Sequence, residues 1–207
     1  GKPAALLPRQ SGEAEGMIEQ FMIAANVAVA ALARRKKLPF IYRVHERPNP
    51  EKLALLMETT RALGLKTPLQ SDDLPQMALR ELMEEARDTP YARLVSEQLL
   101  RSMAKAQYSD NPLGHYGLAL QDYCHFTSPI RRYPDLAIHR ILSDHLAHTP
   151  KAALYDRYGA FVRAAAASSS ECEVRAMTAE RDCEACYKAE YMLGFLGQTF
   201  PGVIVSA

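Results

Sequence analysis

Apolar residues recur at helical spacing from Glu13 onward: Met17, Ile18, Phe21, Met22, Ala25, Val29 and Leu32 share one broad face, with Glu19, Gln20 and Asn26 as the polar residues near it. The spacing predicts an amphipathic helix that runs into the cationic stretch Arg34-Arg35-Lys36-Lys37. Leu38 to Val44 is short, β-branched and aromatic, which predicts a strand entering the turn His45-Glu46-Arg47-Pro48. Asn49-Pro50 starts a second helix, with Leu53, Leu56, Met57 and Leu63 on one side and Gly64 as its stop. Ser71 to Pro75 offers caps and a proline for a third helix reaching about Arg87, and a fourth is predicted from Tyr91 to Lys105. Asn111-Pro112-Leu113-Gly114 breaks the pattern, and His115 to Tyr123 alternates as a strand would. Helices resume at Pro134 to His145, Ala152 to Ala167 and Glu171 to Leu196, the Ala164 to Ser170 run reading as a helix end and linker. The opening GKPAALLPRQSG reads as an extended lead-in, and the period changes once more in the closing QTFPGVIVSA, which looks like the first strand of another unit.

A chain of 207 residues that is 48% hydrophobic has ample material for a packed core in one large or two small domains. Its 25 Lys and Arg nearly balance 24 Asp and Glu, so a nucleic-acid role cannot rest on a globally basic surface. It would need local clustering such as Arg34 to Lys37, a run that reads first as a solvated helix end, where cations are favoured. The apolar runs are short and interrupted by charge, so no membrane span is expected. Four cysteines without a secretory signal make no disulfide framework, and a reducing cytoplasm fits best. Cys183 and Cys186 form a C-x-x-C pair within a helical pattern, with no second pair at zinc-ribbon spacing, so they read as helix-face residues. The six histidines are scattered, and neither H-E-x-x-H nor a nucleophile elbow occurs. Zinc-protease and serine-hydrolase chemistry therefore has no support.

Candidate chemistry concentrates in His125-Phe126-Thr127-Ser128-Pro129-Ile130-Arg131-Arg132-Tyr133-Pro134-Asp135-Leu136, just before a clean helix. Pro129 and Pro134 fix their own φ and push Ser128 and Tyr133 toward extended conformations, so Arg131 and Arg132 should sit on a stiff, non-helical turn. Two guanidinium forks, the Thr127 and Ser128 hydroxyls and the Tyr133 ring suit a phosphate with an adjoining sugar or base. A helix-entry loop with its arginines paired to carboxylates explains the same residues equally well. Asp135 is expected to cap the following helix or to hold an arginine rather than to bind metal. Tyr116, Tyr123, Phe126 and Tyr133 are candidate stacking surfaces or core, while His115, His125 and His139 read as hydrogen-bonded structural residues.

HYGLALQDYCHFTSPIRRYPDLAIHR, residues 115–140, resembles the ribonuclease II and ribonuclease R family of processive 3'-to-5' exoribonucleases. GEAEGMIEQFMIAANVAVA, RVHERPNPEKL and SECEVRAMTAERD are similar to further blocks of that family, and QTFPGVIVSA to the start of its C-terminal OB-fold domain. The resemblance implies an α+β fold, predominantly helical in this segment, in which residues 1–197 form the later part of the RNB-type catalytic domain and 198–207 open a truncated RNA-binding domain. It implies magnesium-dependent hydrolysis of single-stranded RNA from its 3' end to nucleoside 5'-monophosphates. Arg131 matches the arginine that contacts the scissile phosphate. Arg132 and Tyr133 are neighbouring candidates for RNA contact, Glu19 matches an acidic residue near the 3'-terminal nucleotide, and Glu180, with Glu173 as rival, a second substrate-proximal glutamate.

The family holds magnesium through an aspartate cluster earlier in its catalytic domain, and no such cluster occurs here. Asp72 and Asp73 are adjacent carboxylates, but they stand at a predicted helix start, where capping explains them. Two clamping metal ions require several converging carboxylates, so this segment is expected to carry no metal site and to be inactive alone. A non-catalytic RNA-binding or scaffolding module is the rival reading. A free-standing helical anion-binding domain is the third.

Overall fold

The computed structural model describes residues 3–7, 12–66 and 76–202. Six α-helices and two short strands are found among them: α1 (Glu13–Lys36), β1 (Tyr42–Val44), α2 (Pro50–Ala62), α3 (Gln76–Ala86), α4 (Ala92–Ser102), β2 (Gln107–Ser109), α5 (Tyr133–Leu146) and α6 (Lys151–Met192). β1 and β2 form one two-stranded sheet, so the architecture is α+β with helix predominating. The chain divides into two compact units. Among the described residues, one contains those up to 42, with 108–111 and 124–202; the other contains 43–66, 76–107 and 112–123.

In the first unit, α5 packs on α6. α5 buries Ala137, Ile138, Ile141 and Leu142, and α6 buries Leu154, Tyr158, Val162, Ala165 and Ala166. The carbonyl end of α1 closes on Lys37, which takes a left-handed φ of 52° and returns its N–H to Ala33 and Arg34. In the second unit Leu56 of α2, Ala78, Leu79, Leu82 and Ala86 of α3, and Val95 and Leu99 of α4 form one apolar cluster. Asn49 caps α2 by accepting from Lys52 N–H at 3.1 Å, with Pro50 in the first turn, as expected from the sequence. Gly64, at φ 72°, follows that helix in a conformation that a Cβ would oppose.

Several expectations change. The segment Leu38 to Val44 is strand only over Tyr42–Val44, the residues ahead of it being buried coil around Pro39. His115 to Tyr123 is not a strand. His115 N–H bonds back to Leu120 O at 2.7 Å, a 3-10 turn occupies Tyr116–Leu118, and Ala119 takes φ 56°, so the chain folds on itself. The Ala164 to Ser170 run is no linker but the middle of the 42-residue α6. Ser170 hydroxyl donates to Ala166 O at 2.9 Å and accepts from Tyr108 N–H at 2.9 Å, so a residue of modest helix propensity is held in the helix by a tertiary partner. α1 is also long and apolar enough to cross a membrane by length and composition, contrary to the expectation that the apolar runs are too short and interrupted. Its buried Asn26 bonds to residues 124 and 126, an arrangement found when a helix packs against protein. Asp72 and Asp73 lie outside the described residues; Gln198–Gly202 carry no regular secondary structure, and 203–207 also lie outside.

Candidate functional site

The arginine turn is assembled in the first unit from three anchors. Asn26, a polar residue set in the apolar sequence of α1, accepts from Phe126 N–H through Oδ1 at 2.9 Å, and its carbonyl accepts from the buried Cys124 thiol at 3.2 Å. The Phe126 ring stacks on His139 of α5 at 4.2 Å, and His139 Nε2–H donates to Phe126 O at 2.9 Å, which sets that histidine's tautomer. Burial, reinforced by the Asp135 carboxylate, pushes the Cys124 thiol well above its ordinary range; Arg132 opposes this only in part. Cys124 is thus an inert packing residue.

Asp135 is the third anchor and is fully buried. Its carboxylate accepts from Ser128 N–H at 2.8 Å and from Arg132 in bidentate fashion, Nε at 3.0 Å and Nη2 at 2.8 Å. It therefore holds an arginine, as expected, but does not cap α5: Arg132 stands at the N-cap without a side-chain cap bond, and the carboxylate instead ties the loop to the first helical turn. The turn closes through Arg132 N–H to Ser128 O at 3.1 Å, with Arg131 N–H on the same carbonyl at 3.3 Å.

The consequence is a division of labour between the adjacent arginines. Arg132 has 20% of its side chain exposed and is committed to the buried carboxylate. Arg131 is exposed, and its guanidinium makes no hydrogen bond or ion pair among the described residues. It is displayed beside fully exposed Ile130 and half-exposed Tyr133, whose ring meets Phe161 edge-on at 6.4 Å. The Thr127 hydroxyl oxygen is buried with no partner, an unsatisfied acceptor and donor within the same turn.

Glu19 is exposed on α1 and Glu180 on α6, neither bonded to another described residue, while Glu173 is half-buried and engaged. Cys183 and Cys186 are free and exposed on α6. No group of three or more His, Cys, Asp or Glu converges to hold a metal ion among the described residues. The other aromatic candidates point elsewhere: Tyr123 is buried against His115 and Phe126 is spent on His139, which leaves Tyr133 as the exposed ring of the turn.

The second unit carries a histidine pair. His45 Nε2–H donates to Ala104 O at 2.7 Å, and Nδ1 accepts from Gly117 N–H at 2.8 Å. The rings of His45 and His115 stack at 5.1 Å. Burial first, then the charges of His45 and Arg43, lower the His115 pKa to about 4, so the ring is neutral near pH 7. A Cβ on Gly117 would stand 3.1 Å from His45 Nδ1, so glycine is what lets the 3-10 turn come so close. Sequence reasoning treated these histidines singly and overlooked Asn26 as an anchor; its signal was one amide in an otherwise apolar stretch.

The RNB domain description matches residues 1–148. Ribonuclease R 1 of Lactococcus lactis is 39% identical over 206 residues, covering 100% of this chain and 25% of that protein. Mycoplasma genitalium RNase R in complex with ribose-methylated single-stranded RNA superposes with a TM-score of 0.88 at 33% identity, covering 96% of this chain and 31% of that one. The same enzyme with double-stranded RNA gives 0.87 at 34% identity, covering 94% and 35%. The chain thus spans about a quarter to a third of the relatives it matches. By its fold and these likenesses, it belongs to the ribonuclease II and ribonuclease R family and carries RNB-domain sequence.

Proposed function

We propose that this chain is part of a processive 3'-to-5' exoribonuclease that hydrolyses single-stranded RNA to nucleoside 5'-monophosphates, and that it supplies the guanidinium contacting the scissile phosphate. The observation that carries this reading is the contrast within the arginine pair: Arg132 is locked to a buried carboxylate, while Arg131 stands unpaired on the turn so braced. A fork held on a stiff turn loses little entropy on meeting a phosphate and stabilises the charge that grows on its non-bridging oxygens. Tyr133 offers a ring for a neighbouring base, Arg132 a second cation on the same backbone, and Glu19 and Glu180 carboxylates that accept from ribose hydroxyls. A cytoplasmic setting accords with this reading.

The family's chemistry calls for magnesium. The described residues do not fit it, since no group of three or more His, Cys, Asp or Glu converges among them, and no step through the metal is assigned to this chain. Its own residues bind and orient the phosphate and the terminal nucleotide.

The test is Arg131→Ala in a ribonuclease carrying this segment, read by single-turnover rates and RNA binding at one fixed salt concentration. The expected loss is on the order of a hundredfold in kcat, about 3 kcal/mol, with affinity changed far less because other phosphates remain contacted. Arg131→Lys should rescue poorly, since it keeps the charge and loses the planar fork. Rates near wild type, or full rescue by lysine, would reduce Arg131 to a general electrostatic contact.

A further inference from the structure

α1 ends in Arg34, Arg35, Lys36 and Lys37, all exposed, and no Asp or Glu occurs between Glu19 and Glu46. The helix terminus does not require so many cations. The left-handed turn at Lys37 already satisfies the last carbonyls with backbone N–H groups, and one or two basic residues would answer the dipole. Arg35, Lys36 and Lys37 form no ion pair among the described residues, so the like charges stand side by side uncompensated.

The fold adds to this run rather than neutralising it. Tyr155 of α6 donates its hydroxyl to Lys37 O at 3.2 Å, and Lys151 Nζ lies 5.9 Å from the centre of the Tyr155 ring. A fourth unpaired cation and a ring that remains 46% exposed are thereby brought to the end of α1. On α5, Asp135 is committed to Arg132, and Asp144 to Arg157 and the Tyr158 hydroxyl; between Lys151 and Ser170, α6 carries Asp156 as its sole carboxylate.

We infer that Arg35, Lys36, Lys37 and Lys151, with Tyr155 between them, form a second RNA-contacting surface that grips the phosphate backbone of single-stranded RNA away from the arginine turn. The inference rests on the proposed function. Cations serve any polyanion; the exposed ring, fixed by its hydroxyl and covered by a lysine that a base can displace, favours a single strand. The two surfaces lie at opposite ends of the α5 and α6 pair. Tyr133 meets Phe161, which is ten residues along α6 from Lys151, about 15 Å at helical rise. RNA that fills both must therefore be several nucleotides long. The surface contributes affinity and length dependence and leaves chemistry to the turn.

The test compares the full chain with its Arg35→Gln/Lys36→Gln/Lys151→Gln variant, whose altered side chains are exposed. Binding of a short oligouridylate and of one long enough to reach both surfaces is followed across a salt series, with Arg131→Ala as the contrasting variant. Loss of three phosphate contacts should make the salt dependence for the long RNA shallower by about 2 in slope, and weaken its binding on the order of tenfold to a hundredfold near 0.1 M salt. The short RNA should respond to Arg131→Ala and not to the triple variant. An unchanged slope and affinity for long RNA, with Arg131→Ala still weakening short RNA, overturns the second surface and leaves the proposed function standing. Equal losses for short and long RNA overturn it as a separate surface. A loss confined to anionic phospholipid vesicles assigns the cluster to membranes instead, and absence of RNA binding by the unaltered chain overturns both readings.

Discussion

Replacing Asp135 should unfasten the arginine turn before it touches any chemistry. The carboxylate is fully buried and accepts three hydrogen bonds, two of them from one guanidinium at 2.8 and 3.0 Å and the third from Ser128 N–H at 2.8 Å. Asp135→Ala strands both donors. Removing one partner of a buried ion pair destabilises by about 3–5 kcal/mol, and an orphaned N–H adds about 1–3 kcal/mol when nothing relaxes. These terms overlap, and Arg132, one-fifth exposed, recovers some hydration, so the net loss should be about 3–4 kcal/mol. Asp135→Asn keeps one acceptor and loses the charge, for about half that loss. Urea unfolding measures the totals. Because the chain contains two compact units, hydrogen exchange at the Ser128 amide is the sharper probe of the turn itself. The double variant Asp135→Leu/Arg132→Met should be markedly more stable than Asp135→Ala, since neither partner is left charged and unpaired. A loss below about 1 kcal/mol with Ser128 still protected would refute the anchor.

Two further outcomes follow from the same geometry. In a ribonuclease carrying this segment, Glu19→Ala should reduce discrimination between a terminal ribose and deoxyribose more than it reduces RNA binding; equal losses would make Glu19 a structural helix residue. The His115 pKa, lowered from 6.5 to about 4, means that the unfolded chain takes up a proton that the folded chain declines, so stability is full above about pH 6.5 and falls as pH drops toward 4. Partial solvent access discounts the effect to about 1–2 kcal/mol, and His115→Phe should abolish that part of the slope in urea titrations at several pH values.

Much of this was legible from spacing alone. α2 and α5 follow from apolar periodicity and first-turn prolines, and the turn between residues 125 and 136 announced itself by crowding prolines, arginines and hydroxyls before a helix. α1 forms where the spacing predicts, but the buried residues are Asn26, Ala30 and Ala33, while Met17, Ile18 and Phe21 of the expected apolar face are exposed. What escaped depended on partners distant in sequence. The alternation of His115 to Tyr123 mimics a strand, but the His115 backbone pairs with Leu120 and His45, and a left-handed Ala119 reverses the chain. β2 is three residues long and has no periodicity to read. The serines of α6 looked like a break because their local preference is weak, while the Tyr108 backbone that holds Ser170 lies 62 residues away. At the site, Asp135 is legible as a partner for an arginine; that it takes Arg132 and leaves Arg131 free follows from the i,i+3 geometry once α5 is folded beneath the turn.

α6 runs on well past Ser170, the residue tied to the Tyr108 backbone, and Glu180 sits ten residues farther along, about 15 Å at helical rise. Over that span a helix acts as a lever. A rotation of roughly 5° at Ser170 sweeps Glu180 through about 1.3 Å, more than a hydrogen bond tolerates. The Ser170 tie and the packing of Ala165 and Ala166 before it therefore set the aim of a carboxylate that they never touch, and small changes at that fulcrum would redirect it without altering any residue near it.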